Sequence, residues 1–201
     1  MSGRVMKAPE RLLKRKDVRH SPRRAMSDTL VRPETASDMD AVRNVNVEAF
    51  REHPISRQTE HLIVDALRTA GALDLSLVAD VEGRILGHIA FSKAGVGDSD
   101  SDWYLLGPVA VLPDSQARGI GSALVETGLA ELRASGAAGC VLVGDPDFYG
   151  RFGFTTFPGL VHEGVPDQYV LALPFADDKP SGHIRAHQAF SIEPEPDLGR
   201  V

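Results

Sequence analysis

Gln116-Ala117-Arg118-Gly119-Ile120-Gly121-Ser122 is the stretch that decides how this chain folds. The apolar run Leu105-Leu106-Gly107-Pro108-Val109-Ala110-Val111 leads up to it, and Ala123-Leu124-Val125 leads away. The first run reads as a strand. The second opens a helix over Ile120 to Ser135 that carries Leu124, Val125, Gly128, Leu129 and Leu132 on one side. Glycine is a poor helix former, worth roughly 1 kcal/mol less than alanine, so two of them at this join need a reason. A helix N-terminus leaves about four N–H groups without intrahelical acceptors and carries about half a positive charge. A phosphate satisfies both, and glycine lets it approach the backbone. Arg118 adds a charge that can reach an anion. The competing reading is tight strand–helix packing with no ligand at all.

Upstream, Thr29 to Arg32 reads as a short first strand. Ser37, with Asp40 three residues on, reads as the cap of a helix with Val42, Val45 and Ala49 inward. Arg51-Glu52-His53-Pro54 is a break. Ser56 is expected to open a second helix, in which Leu62, Ile63, Ala66, Leu67 and Ala70 recur until Gly71 stops it. The period then changes. Leu75 to Val81 and Ile85 to Ala94 are two apolar runs joined at Glu82-Gly83, a hairpin signal, with Gly95 to Ser101 as a polar loop. Downstream, Gly139 to Gly144 is a buried strand. Asp145-Pro146 starts a short helix, the acid as cap and the proline in the first helical position. Tyr169 to Leu173 is a late strand and Glu193-Pro194-Glu195-Pro196 a solvated tail. The order β-α-α-β-β-β-α-β-α-β gives an α/β fold with a mixed sheet and helices on both faces.

The 201 residues suffice for one domain with extensions, and 42% hydrophobic with 25% charged residues is ordinary for a globular protein. No run of about 18 apolar residues exists, so a membrane role is excluded from the expectations. The single Cys140 makes no internal disulfide and fits a cytoplasmic location. The net charge of −6 hides an asymmetry: residues 1–25 hold nine Lys and Arg against Glu10 and Asp17. No aromatic residue interleaves these charges to stack on bases. Residues 1–28 are therefore expected to be a disordered basic extension, not a nucleic-acid binder, and Met26 reads as an alternative start.

The phosphate ligand is narrowed by what is missing. A dinucleotide fingerprint needs a third glycine where Leu124 stands, and a Walker loop needs Gly-Lys-Ser/Thr. The neighbours point elsewhere. Val109-Ala110-Val111-Leu112-Pro113, followed by Gln116-Ala117-Arg118-Gly119-Ile120-Gly121, resembles motif A of the GNAT acetyltransferases. Asp145-Pro146-Asp147-Phe148-Tyr149-Gly150-Arg151-Phe152-Gly153-Phe154 resembles motif B of that superfamily, in the right order and a strand apart. Gly87-His88-Ile89-Ala90-Phe91-Ser92 and Leu106-Gly107-Pro108 look like the YhbS-like group of predicted N-acetyltransferases, and the match runs from about Thr29 to Phe190.

The resemblance implies a mostly antiparallel central sheet with splayed central strands, a domain over 29–175 and a C-terminal extension over 176–201. It implies acetyl-CoA as cosubstrate, no metal, and transfer of the acetyl group to a primary amine by direct attack in a ternary complex. A homodimer is compatible with it. The alternative is a non-catalytic acyl-CoA-binding regulatory module on the same fold. Carried over by position, Val109, Ala110 and Val111 pair with the pantetheine arm, and the Val111 N–H points at the thioester oxygen. Gln116, Ala117, Arg118, Gly119, Ile120, Gly121 and Ser122 cradle the pyrophosphate. Pro108, lacking an N–H, marks where strand pairing is interrupted. Tyr149 matches the tyrosine that protonates the leaving thiolate. The asparagine usual seven residues before it is absent, because Leu142 stands there. The base is open among Glu52, His53, Glu60 and His88, with His88 on the strand face of Ala90 and Ser92. Asp98, Asp100 and Asp102 are candidates for attracting a cationic amine, or simply a polar loop.

Overall fold

The computed structural model describes residues 29–54, 56–98, 102–177 and 179–193. The expected disordered arm lies outside the described residues, as does Asp100. Among the described residues eight strands and four α-helices follow one another: β1 (Thr29–Pro33), α1 (Met39–Phe50), α2 (Glu60–Thr69), β2 (Leu75–Val81), β3 (Arg84–Val96), β4 (Trp103–Val111), α3 (Ile120–Ala134), β5 (Gly139–Val143), α4 (Pro146–Tyr149), β6 (Leu160–Val161), β7 (Val170–Pro174) and β8 (Gly182–Arg185). The main sheet runs β1-β2-β3-β4-β5-β7. Every neighbouring pair in it is antiparallel except β4 and β5. That one parallel pair is forced by the α3 crossover, since parallel strands need a long connection. The sheet is thus the expected mixed, mostly antiparallel one.

The β2–β3 hairpin turns at Glu82 (φ 52°) and Gly83 (φ 80°), two left-handed residues in succession. A two-residue hairpin loop needs that twist, and Asp80 secures it by accepting the Gly83 N–H at 2.8 Å. β3 is buried on both faces from Gly87 to Ser92, which explains its continuous apolar reading. On one face Ile89 and Phe91 join Leu124, Val125, Leu129 and Leu132 of α3 and Tyr149 of α4 in the largest core. On the other, Ala90 packs with Val42, Val64 and Val78 under α1 and α2. That second face continues as Ala94, Trp103, Leu105, Val141 and Ala172, closed by Ile184 of β8 and by Phe190.

Several expectations shift. The chain prefers Thr35 and Asp38 to Ser37 and Asp40 for the first turn: Asp38 accepts from the Thr35 N–H at 2.8 Å and hydroxyl at 2.7 Å. Both pairs have the same spacing. Arg32 decides between them, because its guanidinium grips both Asp38 oxygens at 2.7 and 3.0 Å. The pairing holds the Asp38 carboxyl well below the usual carboxylate range. The second helix starts at Glu60, not Ser56, because Gln58 is left-handed (φ 59°) and Ser56 folds onto the loop, its hydroxyl accepting the Gln58 N–H at 2.7 Å. Its fully buried residues are Val64 and Leu67. β3 runs on to Val96, into the first two residues of the expected loop, because β8 pairs with Gly95 and Val96. Residues 182–193 therefore fold back on the sheet, and the turn Gln188–Ser191 packs against α2.

Gly128 shows a glycine that packing demands. A Cβ there would sit 2.4 Å from Cε2 and Cζ of Phe91, a fully buried ring. Gly128→Ala is expected to destabilise. The intrinsic helix preference of about 1 kcal/mol for alanine is outweighed by overpacking, typically about 1–3 kcal/mol. The melting temperature should fall by about 2–4 °C or more. A melting curve that superposes on the wild type would show that Phe91 has room to tilt.

Candidate active site

The site begins where β4 and β5 part. Their pairing covers Trp103 to Leu105 against Gly139 to Val141 and stops there. On its other edge β4 stays with β3 to Val111, with a register shift where Gly107 and Pro108 intervene between Leu106 and Val109. The interruption expected at Pro108 is thus a bulge toward β3, next to the parting from β5. Beyond it the Leu112 N–H donates to the Leu86 carbonyl at 2.9 Å. Backbone groups of a strand alternate between its two edges. The N–H groups of Val109 and Val111 therefore face away from β3, toward the edge β5 has left. The Val111 carbonyl on that edge accepts from the Gln116 side-chain amide at 3.1 Å.

The open edge runs directly into the glycine turn. Ala117 (φ 57°) and Gly119 (φ 84°) are both left-handed, and Gln116 through Gly119 are exposed. Gly119 caps α3 without a side chain, and no acidic residue stands in the first turn. The first ladder bond runs from the Ala123 N–H to the Gly119 carbonyl at 2.9 Å, so Ile120, Gly121 and Ser122 offer N–H groups ahead of it. A 15-residue helix thus presents an uncompensated positive end. Gly121 differs from Gly128 in a telling way. A Cβ at 121 would meet Val111 Cγ2 at 3.7 Å and Phe148 Cζ at 3.8 Å, ordinary contacts. The fold does not require glycine there, whereas a close ligand would. The residues therefore fit a pantetheine arm along the strand edge and a pyrophosphate at the helix end.

α4 crosses this junction. Asp145 caps it, accepting the Asp147 N–H at 2.9 Å. Phe148 lies beside Val111 and Gly121, and Tyr149 meets Phe148 edge-on with centroids 4.8 Å apart. Tyr149 also packs on Phe154 at 5.9 Å and is 9% exposed. No hydrogen bond among the described residues occupies its hydroxyl. Burial pushes the phenol well above its ordinary value, and Cys140 adds to the shift, so it stays protonated at neutral pH.

The base candidates separate. His88 is fully buried on the α1 face, between Asn46 Nδ2 on Nδ1 (3.0 Å) and the Ser76 hydroxyl on Nε2 (3.0 Å). Ser76 passes the chain to Glu34, which Arg68 holds at 2.6 Å. Burial, with Arg68 nearby, pushes the His88 imidazole down to about 3. The face shared with Ala90 and Ser92 is thus the floor under α1, and of the open base candidates His88 is the one held there as a core histidine with both ring nitrogens engaged. Glu52 and His53 are exposed on the loop after α1. Glu60 lines a cavity of about 100 Å³ at the α1–α2 junction, together with Asn46. Its Oε1 accepts from the Ser56 hydroxyl at 2.6 Å, while Oε2 is buried without a partner among the described residues. Asp102 is paired with Lys93 at 2.9 Å. Asn46, which sequence reading passed over, has one signal: it lies four residues after Val42, on the inward face of α1.

The Acetyltransferase (GNAT) family model matches residues 39–154. YhbS, an uncharacterised N-acetyltransferase of Escherichia coli strain K12, is 38% identical over 109 residues, 54% of this chain; the match spans 65% of YhbS, just under two thirds of its length. YjhQ of the same strain, also uncharacterised, is 35% identical over 67% of this chain and 73% of its own. Among solved structures, a GNAT family acetyltransferase from Brucella melitensis in complex with acetyl-CoA aligns with a TM-score of 0.72 at 46% identity, covering 81% of this chain and 97% of that one. Escherichia coli YhbS in complex with CoA aligns at 0.74 and 30% identity, over 82% and 93%. With the parted strands, the uncapped helix and the two motifs in place, the chain belongs to the GNAT acetyltransferase family.

Proposed function

We propose that the protein transfers the acetyl group of acetyl-CoA to a primary amine by direct attack within a ternary complex. The observation that carries this reading is the continuous surface formed by the open β4 edge and the uncapped end of α3. The acetyl-CoA complex of the Brucella melitensis relative supports it. Val109 to Val111 hold the pantetheine arm as an added strand would. Gln116 to Ser122 receive the pyrophosphate through backbone N–H groups, with Arg118 as counter-charge. The Val111 N–H polarises the thioester carbonyl as charge develops on its oxygen. The amine nitrogen forms the new bond to the carbonyl carbon and the carbon–sulfur bond breaks. Glu60 takes the amine proton. Tyr149 gives its hydroxyl proton to the leaving thiolate and regains one from solvent.

The decisive experiment incubates the full chain with acetyl-CoA and a panel of primary amines, reading free thiol and the mass of the acetylated amine together. Stoichiometric thiol and acetyl-amine support transfer. Tight acetyl-CoA binding with no turnover on any amine would leave an acyl-CoA-binding module instead.

A further inference from the structure

β5 ends at Val143, and the residue that follows, Gly144, is a glycine the backbone does not demand. Its φ lies outside the left-handed region, and its N–H donates to the Tyr169 carbonyl at 3.0 Å, as that of any residue but proline could. What leaves no room for a side chain is Tyr149. A Cβ at 144 would lie 2.5 Å from Cε2 and 2.9 Å from Cδ2 of that ring, where carbon atoms rest at about 3.5–4.0 Å. Leu142 Cδ1, at 3.1 Å, is the less tight neighbour. The nearest ring carbon, Cε2, is bonded to the carbon that carries the hydroxyl. A methyl group at 144 would therefore press on the hydroxyl end of the ring more than on its root.

Neither side of this contact can retreat without breaking something. The bond to Tyr169 ties the Gly144 backbone to the start of β7. The Tyr149 backbone is tied to the residue after Gly144, because its N–H donates to the Asp145 carbonyl at 3.0 Å. The ring is buried, with the centroids of Phe148 and Phe154 at 4.8 and 5.9 Å. Clearing a methyl group at 144 takes a ring movement of about 1 Å. Packing alone would explain such a contact, as it does for Gly128 and Phe91. This ring differs in carrying a hydroxyl that no described residue engages, beside the junction of β4 and α3. Misplacing a reacting group by about 1 Å costs up to about 100-fold in rate.

We infer that Gly144 is a positioning residue for acetyl transfer: its bare backbone is the floor on which the Tyr149 ring lies, and it sets where the hydroxyl meets the leaving thiolate. The inference rests on the reading of Tyr149 as the acid. The test is a double-mutant cycle of Gly144→Ala and Tyr149→Phe in the full chain. It follows thiol release from acetyl-CoA, with water as acceptor where no amine of the panel serves, and a melting curve of each variant. Phenylalanine keeps the ring contact and loses only the hydroxyl, so packing and positioning separate. Gly144→Ala should lower the melting temperature alike in both backgrounds. It should slow thiol release about tenfold or more where the tyrosine is present, and by less than about twofold where phenylalanine stands. Equal slowing in both backgrounds, or none in either, overturns the inference; the acid reading then stands if Tyr149→Phe alone slows release. Wild-type release by Tyr149→Phe, or release no faster than without protein, overturns the acid reading and the inference with it. Should Gly144→Ala fail to fold, NMR of the unaltered protein carrying ring-labelled tyrosine decides, with Tyr149 assigned by its loss in Tyr149→Phe. A ring clamped on Gly144 flips slowly and gives separate signals for its two edges. Averaged edges overturn the inference.

Discussion

Gly121→Asp is expected to weaken acetyl-CoA binding by well over tenfold, which is about 1.4 kcal/mol or more, while leaving the fold as stable as before. The two halves of this expectation come from one position. In the first turn of α3 a carboxylate is favourable to the helix by about 0.3–1 kcal/mol, because it faces the positive end of the dipole. There is room for it, since the nearest atoms to a Cβ at 121 are at 3.7 and 3.8 Å. The same carboxylate stands where a pyrophosphate would lie, repelling it and taking up the N–H groups of Ile120, Gly121 and Ser122. Calorimetry and a melting curve on the same preparation read both effects. Lower affinity at unchanged or higher melting temperature is the signature of an anion site. Unchanged affinity in a folded variant would sink the assignment. Gly121→Ala separates bulk from charge: it should cost less binding than the aspartate.

The elements that sequence reveals here are those whose reasons are local. The hairpin turn needs two left-handed residues, and Glu82-Gly83 provides them. The end of α3 needs a left-handed residue after it, and Gly136 (φ 82°) provides one. The glycine turn stands out because two poor helix formers at a helix start ask for a reason, and the close anion is the reason we propose. What escaped the reading depends on partners far along the chain. β3 continues through Gly95 and Val96 only because Arg185 and Ile184 arrive some ninety residues later to pair with them. β6 has two residues and β8 four, too few for alternation to show. Thr35 and Ser37 offered equivalent caps, and the choice fell to Arg32, reached across the end of β1. His88 has the right face by alternation, yet which layer covers that face is a tertiary fact: α1 lies on it, and Asn46 and Ser76 take both ring nitrogens. Asn46 itself reads as a surface residue by type and as a core residue by position. Only the position was informative.

Tyr149→Phe is the sharpest test of chemistry as distinct from binding. The ring contacts survive the change, since Phe148 and Phe154 meet the aromatic ring itself edge-on, with centroids at 4.8 and 5.9 Å. Only the hydroxyl is lost. Turnover is expected to fall about 10- to 100-fold, at or below the lower end of what a positioned acid or base contributes. The modest size follows from the phenol itself. Its ordinary pKa near 10 already exceeds that of a thiol, about 8.5, and burial raises it further. Such an acid holds its proton too tightly to drive protonation strongly, so hydrogen bonding to the developing thiolate is the larger part of its help. The raised value also fixes the sign of the pH profile. Tyrosine remains protonated through the neutral and mildly alkaline range, so its contribution should persist up to and beyond the ordinary phenol value. The ratio of wild-type to Phe-variant rates should then stay constant between neutral pH and pH about 9. Acetyl-CoA affinity should move little, because the hydroxyl is proposed to meet the sulfur and not the pyrophosphate. Wild-type turnover in the Phe variant would make Tyr149 a packing residue, with the thiolate taking its proton from water or from the departing ammonium.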